Sequence, residues 1–184
     1  MDKGSNYYQT FLSGDDSGME ALIREYSDGL TLYINTIVHD IHTAEDLMLE
    51  TFIKLGVRRP ADRGYSSFKT WLYTIGRNIA LDYLRKHKTV QVPLDEVGEL
   101  PDEAQTTLNS LITRERDEVV HRCMKKLGQT YYQALWLYYF EGFSTREIAA
   151  LTGKTVHATQ VRISRARQSL KETLIKEGFD YEDL

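Results

Sequence analysis

The sequence predicts an all-α protein made of two small helical domains joined by an acidic linker, with a helix-turn-helix in the C-terminal one. Three observations lead there. Apolar residues in every strongly patterned segment recur at steps of three and four, the spacing of one helix face. After Lys88 that period stops, and a stretch dense in acids and containing two prolines takes its place. Charge also alternates in blocks along the chain. Residues 1–51 hold ten acids and two bases, 52–88 nine bases and two acids, 89–113 five acids and no base, and 114–184 twelve bases and ten acids. Exposed charges more than about 8 Å apart are largely screened, so the blocks act separately. The expected division is therefore a first domain over 1–88, a linker over 89–113 and a second domain over 114–184.

Each element has its own signal. Ser17 and Glu20 have capping-box spacing, and Met19, Leu22, Ile23, Tyr26, Leu30, Tyr33, Ile34 and Ile37 continue the helix they would open. Thr43 and Asp46 repeat that spacing ahead of Leu47, Thr51, Phe52 and Leu55, with Gly56 expected just past the end. A third helix starts near Ser66 or Ser67, with the stripe Phe68, Trp71, Leu72, Ile75, Ile79 and Tyr83. The segment TVQVPLDEVGELPDEAQTT reads as an extended linker. Helical signal resumes near Leu111 and runs to Leu127, and TYYQALWLYYF (130–140) reads as a buried helix. Glu141-Gly142-Phe143 makes a turn, Ser144 and Glu147 form a further capping box, and Gly153 closes a short helix.

Composition narrows the function. The 184 residues carry net charge −4 and a single cysteine, Cys123, which excludes an internal disulfide and argues against a thiolate zinc site. The first residues lack the basic start and apolar run of a signal peptide, and no apolar stretch nears the roughly 20 residues of a membrane helix. Cytoplasmic location without membrane insertion is the expectation. His39, His42 and Asp46 have helical spacing that suits a metal, but no further ligand accompanies them. No phosphate loop or nucleophile elbow appears, so neither an enzyme nor a cofactor is expected.

Against this acidic background, Lys154 to Lys171 hold five bases and no acid. Two short helices around Gly153 read as a helix-turn-helix. In the second, Thr159, Ile163, Ala166 and Leu170 recur at inward spacing. His157, Gln160, Val161, Ser164, Arg165 and Gln168 then face outward, offering groups that read base edges in a major groove. Lys154, Arg162, Arg167 and Lys171 flank them, placed for phosphates. A second basic block combines the loop residues Arg58, Arg59, Arg63, Tyr65 and Lys69 with Tyr73, Arg77, Asn78 and Arg85 of the third helix, off its apolar stripe. Bases interleaved with aromatics and an amide suit opened or single-stranded nucleic acid.

The runs AEDLMLETFIKL (44–55), FKTWLYTIGRNIALDYLRK (68–86) and STREIAALTGKTVHATQVRISRARQSL (144–170) occur in this order. Together they resemble the two domains of a bacterial RNA polymerase sigma factor, of the extracytoplasmic-function group of the sigma-70 family. The resemblance implies transcription initiation at specific promoters. The first domain would bind the clamp of the largest subunit of core RNA polymerase through Glu45, Asp46, Met48, Leu49, Glu50 and Ile53. It would also open the -10 element with the second basic block, the 56–69 loop holding an extruded base. The last domain would read the -35 element as duplex DNA, and an anti-sigma factor is an expected partner. The sequence departs from the family at Leu49, where Gln is usual, at Ala158-Thr159 in place of Thr-Val, and at Gly128 in place of Pro. The Thr159 departure raises the expectation of an altered recognition-helix pose. Two rival classes remain: a stand-alone helix-turn-helix regulator that binds an operator without polymerase, and a module for protein contact alone.

Overall fold

A computed structural model describes residues 2–58, 67–87 and 115–178 of the chain. Those residues form eight helices and no strand. The expected linker and Arg59, Arg63, Tyr65 and Leu111 lie outside them.

The first helix, α1 (Lys3–Leu12), is one that the sequence reading passed over. Asp2 caps it, accepting from the Ser5 N–H at 2.8 Å, while its other carboxylate oxygen accepts from the Phe68 N–H at 2.7 Å. One side chain thus satisfies orphan donors at the starts of two helices. Tyr8 and Phe11 are buried and pack Tyr8 on Phe68 and Trp71.

Helices α2 (Ser17–Val38) and α3 (Ile41–Arg58) begin differently from expectation. The Ser17–Glu20 box does not form: Ser17 is already helical, and its N–H is taken by Asp15 at 2.9 Å. The Thr43 N–H is likewise taken by Asp40 at 2.6 Å, so α3 starts two residues before Thr43 and runs through Gly56 rather than stopping there. In both cases an aspartate just upstream takes the N–H that the expected box would have used. His39, at φ 60, ends α2 with its N–H on Asn35 O. Helix α4 (Phe68–His87) places Arg85, Lys86 and His87 in its last turn, where cations complement the helix dipole. Leu22, Leu30, Tyr33, Ile34, Leu55 and Leu72 form the fully buried centre of this group.

The C-terminal group comprises α5 (Glu115–Lys125), α6 (Gln129–Leu135), a π-helical turn (Trp136–Phe140), α7 (Thr145–Thr152) and α8 (Val156–Lys176). The expected single buried helix over 130–140 is therefore split. Trp136 and Leu137 are buried, whereas Tyr139 and Phe140 reach solvent. Gly128 precedes α6 at φ −57, an angle proline also adopts, so this departure from the family pattern leaves the backbone unaltered. Lys126 pairs with Glu177 at 2.7 Å, tying α5 to the end of α8.

Candidate nucleic-acid interface

The helix-turn-helix is α7 and α8. Ser144 and Glu147 form the full reciprocal capping box at the start of α7. Gly153 ends it at φ 65, and the Lys154 N–H bonds back to Ala149 O at 3.0 Å. A left-handed residue is needed at that corner, and glycine adopts it without Cβ strain. Thr155 then caps α8, its side chain accepting from the Ala158 N–H at 3.1 Å.

Helix α8 buries Thr159, Ile163 and Ala166, with Leu170 half-buried in the same stripe. The helix phase is therefore unaltered by the Thr159 departure. Its hydroxyl donates to Thr155 O at 3.0 Å, so a polar group sits in the core fully bonded. Lys154, His157, Gln160, Ser164, Arg165 and Gln168 are exposed on the other side, and Val161 and Arg162 lie half-buried at its edge. Arg167 is exposed, but its guanidinium lies 4.8 Å and 5.5 Å from the ring centres of Tyr138 and Tyr139, a cation–π stack that orients it along the π turn.

The second basic block looks different. Asn78 is exposed, and Arg58 is exposed at the end of α3. Arg85 pairs with Asp82 one turn away. Arg77 turns inward, its Nε buried beside the buried Tyr33 hydroxyl; burial pushes that phenol well above its usual range, against the pull of the Arg77 charge. Tyr73 does not stand off the apolar stripe: it is 1% exposed, stacks on Tyr33 and meets the edge of Phe143. Its hydroxyl donates to Glu141 at 2.5 Å, and burial together with that neighbouring carboxylate holds the phenol well above its ordinary value. Lys69 Nζ lies 3.0 Å from Glu141 Oε2 and donates to the Glu141 carbonyl at 2.7 Å. Nearby, Glu147 Oε1 accepts from Ser67 Oγ and Thr70 Oγ1 at 3.2 and 3.1 Å. Burial works to raise the Glu147 carboxyl, but the hydrogen bonds from Ser144, Thr70 and Ser67 outweigh it and hold the group below its usual value. Sequence reasoning saw Glu141 only as a turn residue. Nothing local marks it, because its partners lie 68 and 72 positions away.

The third candidate surface is α3. Glu45, Asp46, Leu49, Glu50 and Ile53 are exposed, and Leu49, Ile53 and Val57 form an open apolar row at 52%, 62% and 78% exposure. Met48, expected outside, is instead half-buried against the core. Among the described residues no three His, Cys, Asp or Glu side chains gather as a metal site, and no helix is long and apolar enough to cross a membrane.

Comparison with known proteins covers both helical groups. Residues 22–90 match the family model for sigma-70 region 2, and 117–170 that for sigma-70 region 4. The RNA polymerase sigma-H factor of Pseudomonas aeruginosa is 31% identical over 170 residues, covering 88% of this chain and 88% of its own. The chain belongs to the sigma-70 family. Within it, this sigma factor falls in the extracytoplasmic-function group. RNA polymerase sigma factor YlaC of Bacillus subtilis is 29% identical over 162 residues, covering 86% of this chain and 92% of its own. The same fold occurs in CnrH, solved with the cytosolic domain of CnrY, at TM-score 0.68 and 20% identity over 95% of this chain and 99% of that one. It also occurs in RpoE of Bartonella quintana, solved with the anti-sigma factor NepR, at TM-score 0.62 and 24% identity over 84% of this chain and 95% of that one. Helix α1 precedes the region 2 match.

Proposed function

We propose that this non-enzymatic, cytoplasmic sigma factor brings core RNA polymerase to its promoters through three separate surfaces. The α3 row of Leu49, Ile53 and Val57, flanked by Glu45, Asp46 and Glu50, binds the clamp of the largest subunit. A Leu where the family usually has Gln enlarges the apolar part of that contact. Exposed apolar rows rimmed by charge are the usual form of a protein docking site. The start of α4 and the loop before it open the -10 element, with Asn78 beside the melted strand. Helix α8 reads the -35 element, Gln160 and Arg165 at base edges and Lys154 at phosphate. An anti-sigma factor is the expected inhibitor, by analogy with the complex of RpoE with NepR.

The observation that carries this reading is the α7–Gly153–α8 corner. It presents Gln160, Ser164 and Arg165 on the face opposite the buried Thr159, Ile163 and Ala166. The test is in vitro transcription with purified core polymerase and a genomic DNA library, with and without the protein, followed by selection from randomised -35 elements. Arg165→Ala should cost about 1–3 kcal/mol and alter the selected motif. Lys154→Ala should weaken binding evenly and lower the salt slope by about one unit, leaving the motif intact. Tight operator binding without polymerase would instead favour the stand-alone regulator.

A further inference from the structure

Helix α8 carries a cation that the fold has already aimed. The guanidinium of Arg167 sits over the rings of Tyr138 and Tyr139, 4.8 and 5.5 Å from their centres. We propose that Tyr138 and Tyr139 are positioning residues for promoter binding. They hold Arg167 for a backbone phosphate beside the -35 element, at the wall of the groove that Gln160 and Arg165 read. The proposal rests on the promoter reading above.

Three observations support it. First, the two rings form a corner rather than a flat patch. Their centroids are 5.1 Å apart and their planes cross at 80°, so the guanidinium is met from two sides. Second, the backbone is irregular where it presents them. The Glu141 N–H reaches back five residues to Trp136 O at 3.2 Å, closing the π turn of Trp136–Phe140. Trp136 and Leu137 stay in the core, and Tyr139 is left 54% exposed. Single π turns are rare and concentrate at functional sites. Third, the place of Arg167 along α8 suits a phosphate. Gln160, Ser164 and Arg167 follow at steps of four and three, along one side of the helix, and all three are exposed. Arg167 lies about 10 Å beyond Gln160 at a rise of 1.5 Å per residue. The major groove is about 12 Å wide, so a helix with Gln160 at the bases brings Arg167 to the groove wall. The two contacts of Arg167 are compatible. An aromatic ring engages the face of a guanidinium, and a phosphate takes the N–H donors in its plane. A solvated arginine loses many rotamers on holding a phosphate, and one already stacked loses fewer.

The test is a double-mutant cycle on reconstituted holoenzyme binding a promoter duplex over a range of salt. Arg167→Ala should weaken binding about tenfold and lower the salt slope by about 0.9, with the selected -35 motif unchanged. Tyr139→Leu should weaken binding about threefold, and Tyr138→Leu should act in the same direction. Neither should have any effect once Arg167 is alanine. Tyr139→Phe keeps the ring and should bind as the wild type does. Arg167→Lys keeps the charge without the planar stack, leaves both tyrosines in place, and should bind about threefold more weakly at an unchanged salt slope. Circular dichroism checks that each variant is folded. Rings that only brace the fold would give Tyr139→Leu the same effect with or without Arg167, and that additivity overturns the proposal. So does wild-type affinity in Tyr139→Leu or Arg167→Lys. An equal loss in Tyr139→Phe overturns it as well, since the hydroxyl would then be the group in contact. Additive losses with Arg165→Ala still altering the motif remove the positioning role and leave the -35 reading standing. A wild-type holoenzyme that selects no -35 motif removes both.

Discussion

Helices α4 and α8 are both basic, both about 20 residues long, and both offered by the sequence as nucleic-acid surfaces. They sit in the protein very differently. Helix α8 buries one narrow stripe and leaves Gln160, Ser164 and Arg165 open to solvent. Helix α4 is enclosed on several sides: α2 and α3 cover its apolar stripe, α1 its start, and Glu141 and Phe143 of the turn before α7 the side that carries Lys69 and Tyr73. Basic residues on a helix thus do not by themselves make an available surface. One of these helices leaves its polar face open as folded, and the other has Lys69 and Tyr73 already engaged by Glu141 of the neighbouring group.

The comparison can be strained at several strengths. The strongest test is the difference in packing. Leu72 of α4 is fully buried, and Leu72→Ala should lower unfolding free energy by about 2–5 kcal/mol in denaturant titration. Leu170 of α8 is only half-buried, and Leu170→Ala should cost about 1 kcal/mol. Equal losses would mean that α8 is held as tightly as α4.

Acid should separate the two groups next. His121 is 4% exposed, bonded to the Tyr132 hydroxyl at 3.0 Å, and burial together with the Lys125 charge lowers its pKa from 6.5 to about 4. The unfolded chain therefore takes up a proton that the folded chain refuses. Stability present above pH 6.5 is lost as pH falls towards 4, by about 3 kcal/mol at most. The α5–α8 group should unfold before α1–α4. Fluorescence of Trp136, whose ring lies 5.6 Å from His121, reports this in a Trp71→Phe background, and His121→Gln should flatten the profile. Coincident loss of both groups would show that the contact between them couples them too strongly for separate unfolding.

The smallest effect concerns two Ser-x-x-Glu signatures that look alike in the sequence. Ser144→Ala removes a real cap and should cost about 1 kcal/mol in thermal unfolding. Ser17→Ala should change stability by less than about 0.5 kcal/mol, because Asp15 already holds that helix start.

The residues explain why one signature could be read and the other misled. Capping competition depends on which neighbour reaches the donors first, and Asp15 and Asp40 win at α2 and α3. Helix α1 did have a local signal, Asp2 followed by Tyr7-Tyr8 and Phe11-Leu12 four residues apart. Its second role, capping α4 across 66 positions, had none.

The sequence by itself determined what short-range physics controls. The 3.6-residue period made the helices, Gly153 and the Ser144–Glu147 box made the corner, and the inward stripe of α8 set its outward face. Even the unusual Thr159 stayed within that register, because its hydroxyl could bond one turn back. Tertiary structure alone decided which basic residues are available. Lys69 and Tyr73 are enclosed because Glu141 and Phe143, some 70 positions later, pack on them. A period along one helix states which residues share a face. It holds no information about what a distant segment will place against that face, since that contact is fixed by the charge and shape of both surfaces once the chain has folded.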